Sequence, residues 1–224
     1  MSELLFNELP RPTFRWLRVN HTVSSLAGED TAVQSIAVEA NKNILSPLPV
    51  GTALLDGNYE GANKEAVHVL VEKAEGYAIN VPPKAKEVVG IRIDANARVA
   101  NRFQFIVGEG AELEVQFYVT GSGDALTNVS YLNEYDVKEA GKVVVKKVNL
   151  LPEHVQHIEH RYTKLEEKAD VEYINIEIGG SENILNYYHD LVGQESRMVH
   201  DIAYLGNKEQ KFDISMVKIG RAHV

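Results

Sequence analysis

Three histidines spaced three apart, His154, His157 and His160, are the sharpest chemical feature of the chain. On a helix, steps of three keep successive rings adjacent, and neutral imidazoles so placed could hold zinc or iron. On a strand, His154 and His160 share one face, His157 takes the other, and the cluster dissolves. No His-Glu-x-x-His accompanies them. They are therefore a candidate metal set, weighed against ordinary surface or rung-stacking histidines. His189-Asp190 and His200-Asp201 each join an imidazole to a carboxylate, but sequence neighbours on a strand face opposite sides and form no dyad with one another. Nothing of the Gly-x-Ser-x-Gly kind nominates a nucleophile. Gly108-Glu109-Gly110 lacks the remainder of a phosphate loop and leads toward a strand, so a tight turn is the expectation. Glu112 with Glu114, and Asp170 with Glu172, supply acids that a carbohydrate-active enzyme could use in pairs. A solvated sheet face would supply them equally. Lys146-Lys147 and Glu166-Glu167-Lys168 read as solvated charges.

Composition narrows the setting. The 224 residues suffice for a sizeable core in one or two domains. Against 32 acidic residues stand 23 basic ones, a net charge of -9, which works against binding a phosphate backbone. With no cysteine, the chain offers neither a disulfide nor a thiolate ligand for an iron–sulfur cluster. The N-terminus lacks the basic and apolar regions of a signal peptide, and no apolar run approaches the ~20 residues of a spanning helix. A soluble, cytoplasmic protein without nucleic-acid or membrane partners is the expectation.

The elements that must position these residues read mainly as strands. Residues 1–60 form an irregular, partly helical segment broken by Pro10, Pro12, Pro47 and Pro49, with Phe14, Trp16 and Leu17 as its docking groups. Residues 61–217 carry period-2 alternation. It is plainest at Leu113/Val115/Phe117/Val119, and recurs at Val89/Ile91/Ile93, Phe103/Phe105/Val107, Ile174/Ile176/Ile178, Leu185/Tyr187/Leu191 and Phe212/Ile214/Met216. Glycine turns separate these runs, at Gly108 and Gly110, Gly121 and Gly123, Gly141, Gly179 and Gly180, Gly193 and Gly206. A sandwich and a solenoid both satisfy such a pattern. A loose apolar-then-glycine phrase at Gly108, Gly193 and Gly206 leans toward the solenoid, as does the lack of Asn-Gly or Asp-Gly hairpin pairs after Gly57. The stretch from Pro152 to Lys168 fits a short helix or a strand.

Several phrases together resemble the SufB/SufD family. At the N-terminus, Asn7-Glu8-Leu9-Pro10-x-Pro12-Thr13-Phe14-x-Trp16-Leu17-x-Val19-Asn20 is similar to the start of short SufD-like proteins. Further on, Gln156-His157-Ile158-Glu159-His160-Arg161 and Tyr187-Tyr188-His189-Asp190-Leu191-Val192-Gly193-Gln194-Glu195-Ser196 resemble the shared core. Tyr204-Leu205-Gly206 and Gln210-Lys211-Phe212-Asp213 follow in the same order. The resemblance implies an all-β, right-handed parallel β-helix preceded by an irregular N-terminal segment. It also implies a SufD-type scaffold subunit that works without turnover beside a SufB-like paralogue and a SufC-like ATPase. The iron–sulfur cluster would be assembled by the complex, with no cofactor bound by this chain alone. It transfers no catalytic, cofactor-binding or metal-ligating residue, because the family's contact strands, interface histidine and SufC-gripping helices lie further toward the C-terminus. The final Ile219-Gly220-Arg221-Ala222-His223-Val224 is what the start of a common sequencing-library adapter would encode. Residues 218–224 are thus expected to be a non-native tail on a C-terminally truncated chain. Two other readings stand beside the scaffold: a carbohydrate-active β-helix enzyme, and a small metal-binding module built on His154, His157 and His160.

Overall fold

The computed structural model describes residues 3–8, 22–25, 36–54, 64–124 and 128–220. Phe14, Trp16 and Leu17, and residues 221–224, lie outside them. In chain order come β1 (Glu3–Phe6), β2 (Thr22–Ser25), β3 (Ile36–Glu39), β4 (Leu45–Leu48) and α1 (Lys64–Lys73). They are followed by β5 (Gly76–Val81), β6 (Lys86–Ala95), β7 (Val99–Val107), β8 (Glu112–Gly121), β9 (Asn128–Val137), β10 (Lys142–Asn149), β11 (Gln156–Leu165), β12 (Asp170–Glu177), β13 (Glu182–Leu191), β14 (Arg197–Tyr204) and β15 (Lys211–Gly220).

From β5 onward successive strands fall alternately into two sheets. One has seven strands in the order β15-β13-β11-β9-β7-β5-β4, the other six in the order β14-β12-β10-β8-β6-β3. From β5 to β15 every neighbouring pair within a sheet is parallel, as in β7 with β9 and β10 with β12. Each circuit of chain therefore adds one strand to each sheet, which makes a flattened β-solenoid of about five turns. Parallel strands need a crossover, and here the facing sheet supplies it. Antiparallel pairing is confined to the N-terminal side, where β3 meets β6 and β4 meets β5.

Side chains from both sheets fill the space between them. In the early turns these are Val89, Ile91 and Ile93 of β6, Phe103 and Phe105 of β7, and Leu113, Val115 and Phe117 of β8, all buried. Aromatic rings stack along and across this space, Phe105 on Tyr135 of the next turn at 4.5 Å and Phe117 on Tyr131 of the facing sheet at 6.2 Å. In β12 the isoleucine alternation falls on the outer side. Val171, Tyr173, Asn175 and Glu177 point inward, while Ile176 and Ile178 are exposed. The interior of the later turns is polar, so there the apolar alternate falls on the outside. The stretch after Pro152 resolves as strand β11, preceded by a turn.

The outer faces differ. That of the seven-stranded sheet is covered by the N-terminal part of the chain, so β9 is buried at every position. Helix α1, at the start of a region read as strands, presents Ala66, Val67 and Leu70 to this face, with Val67 and Leu70 against Leu132. Arg102 fastens the preceding segment: its guanidinium donates to the carbonyls of Pro49 at 2.7 Å, Thr52 at 2.6 Å and Ala74 at 3.1 Å. The outer face of the six-stranded sheet has no such cover among the described residues. Along its first column Lys86, Glu112, Lys142, Asp170 and Arg197 lie side by side, alternating in charge. Lys86 reaches Glu112 at 2.8 Å.

One corner of the solenoid repeats five times. Residues 82–85, 108–111, 138–141, 166–169 and 193–196 each form a four-residue turn closed from first carbonyl to fourth N–H. In each the third residue, Lys84, Gly110, Ala140, Lys168 or Glu195, has φ between 53° and 62°. In the first four turns its N–H donates to a carbonyl of the following turn. The fourth residue is always small: Ala85, Ala111, Gly141, Ala169 and Ser196. Close stacking explains Gly193, where a Cβ would come within 2.0 Å of the Glu167 nitrogen. The glycine phrase read from sequence at Gly108 and Gly193 belongs to this corner, whereas Gly206 follows a strand of the other sheet.

Candidate functional site

Period 2 in β10 sets Val143, Val145, Lys147 and Asn149 on the inward side, which carries Lys147 into the interior between the sheets. Lys146 next to it stays at the surface and pairs with Glu114 at 2.9 Å. The reading of Lys146-Lys147 as two solvated charges is therefore half wrong. Lys147 is fully buried, with Nζ 2.5 Å from Glu159 of β11 and 2.6 Å from Glu177 of β12. Arg161, two positions along β11 and so on the same face, gives Glu159 a second cation at 2.6 Å. Its guanidinium lies between the rings of Tyr173 and Tyr187, at 4.3 and 4.5 Å. Glu159 also accepts from Asn133 at 2.9 Å and the Tyr187 hydroxyl at 3.2 Å.

Two cations and two carboxylates thus share one interior. Burial alone would raise the pKa of Glu159, but Arg161 and Lys147 outweigh it and hold the carboxyl well below the usual range. At Glu177 burial wins over Lys147, and its pKa is raised. His157 completes the cluster. Its Nδ1 lies 3.2 Å from Asn183 Oδ1 and its Nε2 3.0 Å from the Tyr131 hydroxyl. Burial, reinforced by Lys147, lowers its pKa to about 3. These groups are sealed from solvent, and what they do chemically is hold β10 to β13 in one register. A one-step slip would take every partner to the opposite face.

The three histidines do not come together. His154 is exposed in the turn before β11, His157 points inward, and His160 points outward beneath Phe6. His189 is buried in the interior beside Tyr173, with His200 at 5.7 Å, while Asp190 and Asp201 face elsewhere. Glu112, Glu114, Asp170 and Glu172 line the outer face of the six-stranded sheet, with Glu112 and Glu114 paired to Lys86 and Lys146. Hydrogen bonds, from Lys86 to the first and from Gln116 and Lys146 to the second, lower both pKa values. Neither is the raised-pKa acid that glycoside cleavage needs.

The accessible feature is apolar. On the uncovered face Tyr118, Ile176, Leu150, Ile178 and Leu205 form a contiguous exposed stripe across β8 to β14 and the turns that follow them. Leu150, Ile178 and Leu205 also line a recess of about 430 Å³ with Asn207 and Gln210. Such a row on a flat sheet is a surface for another macromolecule more than for a small substrate. Sequence reasoning missed it because the alternation of Ile174, Ile176 and Ile178 marks a strand without marking which of its faces is buried.

Among the described residues no helix is long and apolar enough to cross a membrane. No curated protein and no solved structure matches the chain. A family model described as SUF system FeS cluster assembly, SufBD core domain, matches residues 91–222, more than half of the 224. That span includes β8 to β15 and with them the buried ionic cluster and the apolar stripe. The chain belongs to the SufBD core-domain family, and its place is in SUF iron–sulfur cluster assembly.

Proposed function

We propose that the chain is a SufD-like scaffold subunit, which acts through contacts with a SufB-like paralogue and a SufC-like ATPase and turns nothing over itself. The exposed stripe of Tyr118, Leu150, Ile176, Ile178 and Leu205 carries this reading. It is the kind of surface that protein partners cover, while the ionisable cluster is walled in where no substrate reaches. The absence of cysteine supports the SufD side of the pair, since the thiolate that receives a nascent cluster would have to come from the partner. The iron–sulfur cluster is then cargo of the complex. The test is co-purification of the tagged chain with SufB and SufC from the same source, beside an Ile176→Glu/Leu205→Glu variant. Retention by the native chain and loss by the variant is the expected result. Failure of the native chain to retain either partner would overturn the scaffold reading, and equal retention by the variant would overturn the role of the stripe.

A further inference from the structure

The uncovered face of the six-stranded sheet is patterned twice along the solenoid axis. Near the start of the strands charge alternates, with Glu112, Lys142, Asp170 and Arg197 side by side on β8, β10, β12 and β14. Toward the end of the same strands the face is apolar. Tyr118, Val148, Ile176 and Ala203 share one position across the four. Leu150, Ile178 and Leu205 follow β10, β12 and β14, and the N–H of each bonds to the strand before it, so they stack as a second row.

This pattern is complementary to itself. A two-fold axis parallel to the strands sets the sheet against the same sheet of a second copy, about 10 Å away in the aligned manner. Each residue then faces the one at the same place along a strand of the mate. With the axis on β10, Lys142 faces its own copy and Glu112 faces Asp170. With the axis on β12, Asp170 faces its own copy and Lys142 faces Arg197. An axis between two strands instead opposes unlike charges all along this column. Between β8 and β10, however, Ile176 would face Arg92 and Ile178 would face Asp94. Between β12 and β14 only two strands of each copy overlap. Between β10 and β12, four strands overlap and the apolar rows meet, Leu150 against Ile178 and Val148 against Ile176. Lys142 then faces Asp170 and Glu112 faces Arg197, each contact occurring twice, and no residue faces a like charge. The patch, four strands wide and some nine residues long, measures roughly 19 by 30 Å in projection, the order of a standard interface of ~800 Å² per partner.

We propose that a second copy of the chain docks on this face, forming a homodimer about the two-fold axis between β10 and β12. The proposal rests on the reading of the stripe as a docking surface, and makes a second copy its occupant whenever no partner subunit is present. A partner and a second copy exclude one another there. The apolar rows supply the burial, and the charged column fixes the register. Sliding one copy by a single strand moves the axis onto a strand and brings like charges together.

Sedimentation equilibrium of the purified chain tests this with no partner subunit present, and so apart from the scaffold reading, which stands or falls on retention of SufB and SufC. The native chain is expected to dimerise. Lys142→Glu sets a carboxylate against Asp170 at both symmetric contacts, and Asp170→Lys sets an ammonium against Lys142. Each variant alone weakens the dimer by about 10- to 100-fold. An equal mixture of the two restores native strength, because one contact becomes the reversed pair and the other is the native pair. A native chain that stays monomeric would overturn the proposal, as would a mixture no tighter than its components. Single variants that associate as tightly as the native chain would overturn it too, and this is the result that pairing through the β14 and β15 edges gives. Glu112→Arg and Arg197→Glu form an independent pair with the same expectation, and they decide the matter if a variant of the first pair fails to fold.

Discussion

Lys147 is stabilised only as part of a set. Its ammonium is offset by Glu159 and Glu177, and Glu159 is in turn shared with Arg161. Removing one partner leaves charge uncompensated in the interior, so Lys147→Met is expected to lower stability by about 3–5 kcal/mol in urea denaturation. Adding Glu177→Gln recovers part of that loss, because Glu159 keeps Arg161; a double variant no better than the single would show that the pairs do not interact. The buried histidines predict a pH response of definite sign. Burial lowers the pKa of His157 to about 3, of His160 to about 4 and of His189 to about 3, from an ordinary 6.5. The unfolded chain therefore takes up three protons near pH 6.5 that the folded chain refuses until pH 4 or below. Stability is complete above 6.5 and falls on acidification toward the folded values, by roughly 4 kcal/mol per pH unit for the three together. Urea midpoints measured from pH 7 to pH 5 should drop steeply, and a flat profile would refute the assignment. The charged interior was legible only in part from sequence. Lys147 stands in phase with Val143 and Val145, which marks it as inward, but a lysine beside a lysine looks like surface until the partners from other turns are in place.

The repeated corner shows why elements differ in legibility. Its unit is a small fourth residue after a residue of positive φ, and successive copies are separated by strands and turns of unequal length. Hydrogen-bonded side chains of adjacent turns lie 26, 28 or 30 residues apart, which hides any fixed period. Ala140 takes the left-handed conformation at φ 53° with no side-chain hydrogen bond to compensate. Ala140→Gly should therefore raise stability by about 0.5–1 kcal/mol, the relief of left-handed strain less the added freedom of glycine in the unfolded chain. An unchanged or lower melting temperature would count against the strain. Strands β6 and β8 were readable because their outer face meets solvent, so alternation survives. In β9 and β11 both faces are covered, and polar and apolar residues are buried side by side. In β12 the alternation is legible but the buried face is not, since Asn175 and Glu177 answer to Lys147 and its neighbours rather than to solvent. Helix α1 escaped because its Ala66, Val67 and Leu70 are spaced for a helix over too short a run to dominate the strand pattern around it.

At the scale of the molecule the two ends of the solenoid are unlike. On the N-terminal side β3 and β4 lie antiparallel across the first strands, while at the other side β14 and β15 each keep one edge unpaired among the described residues. Parallel edges with Tyr204, Leu205 and Met216 exposed are templates for further pairing. The purified 224-residue chain is expected to self-associate as its concentration rises, and light scattering showing a monomer throughout would contradict this. Solenoid geometry itself was within reach of the sequence, through short strands, recurrent glycine and the absence of hairpin dipeptides. The covering of one sheet and not the other was not, because it depends on contacts across most of the chain, such as Asn7 with Asp213. The charged column from Lys86 to Arg197 carries a consequence of another kind. Each member is weak in water, yet the signs run plus, minus, plus, minus, plus. Excising or duplicating a single turn would set like charges side by side at the junction, whereas a pair of turns would pass without conflict. The column acts as a parity rule, under which a lineage of such solenoids grows or shrinks most easily in twos.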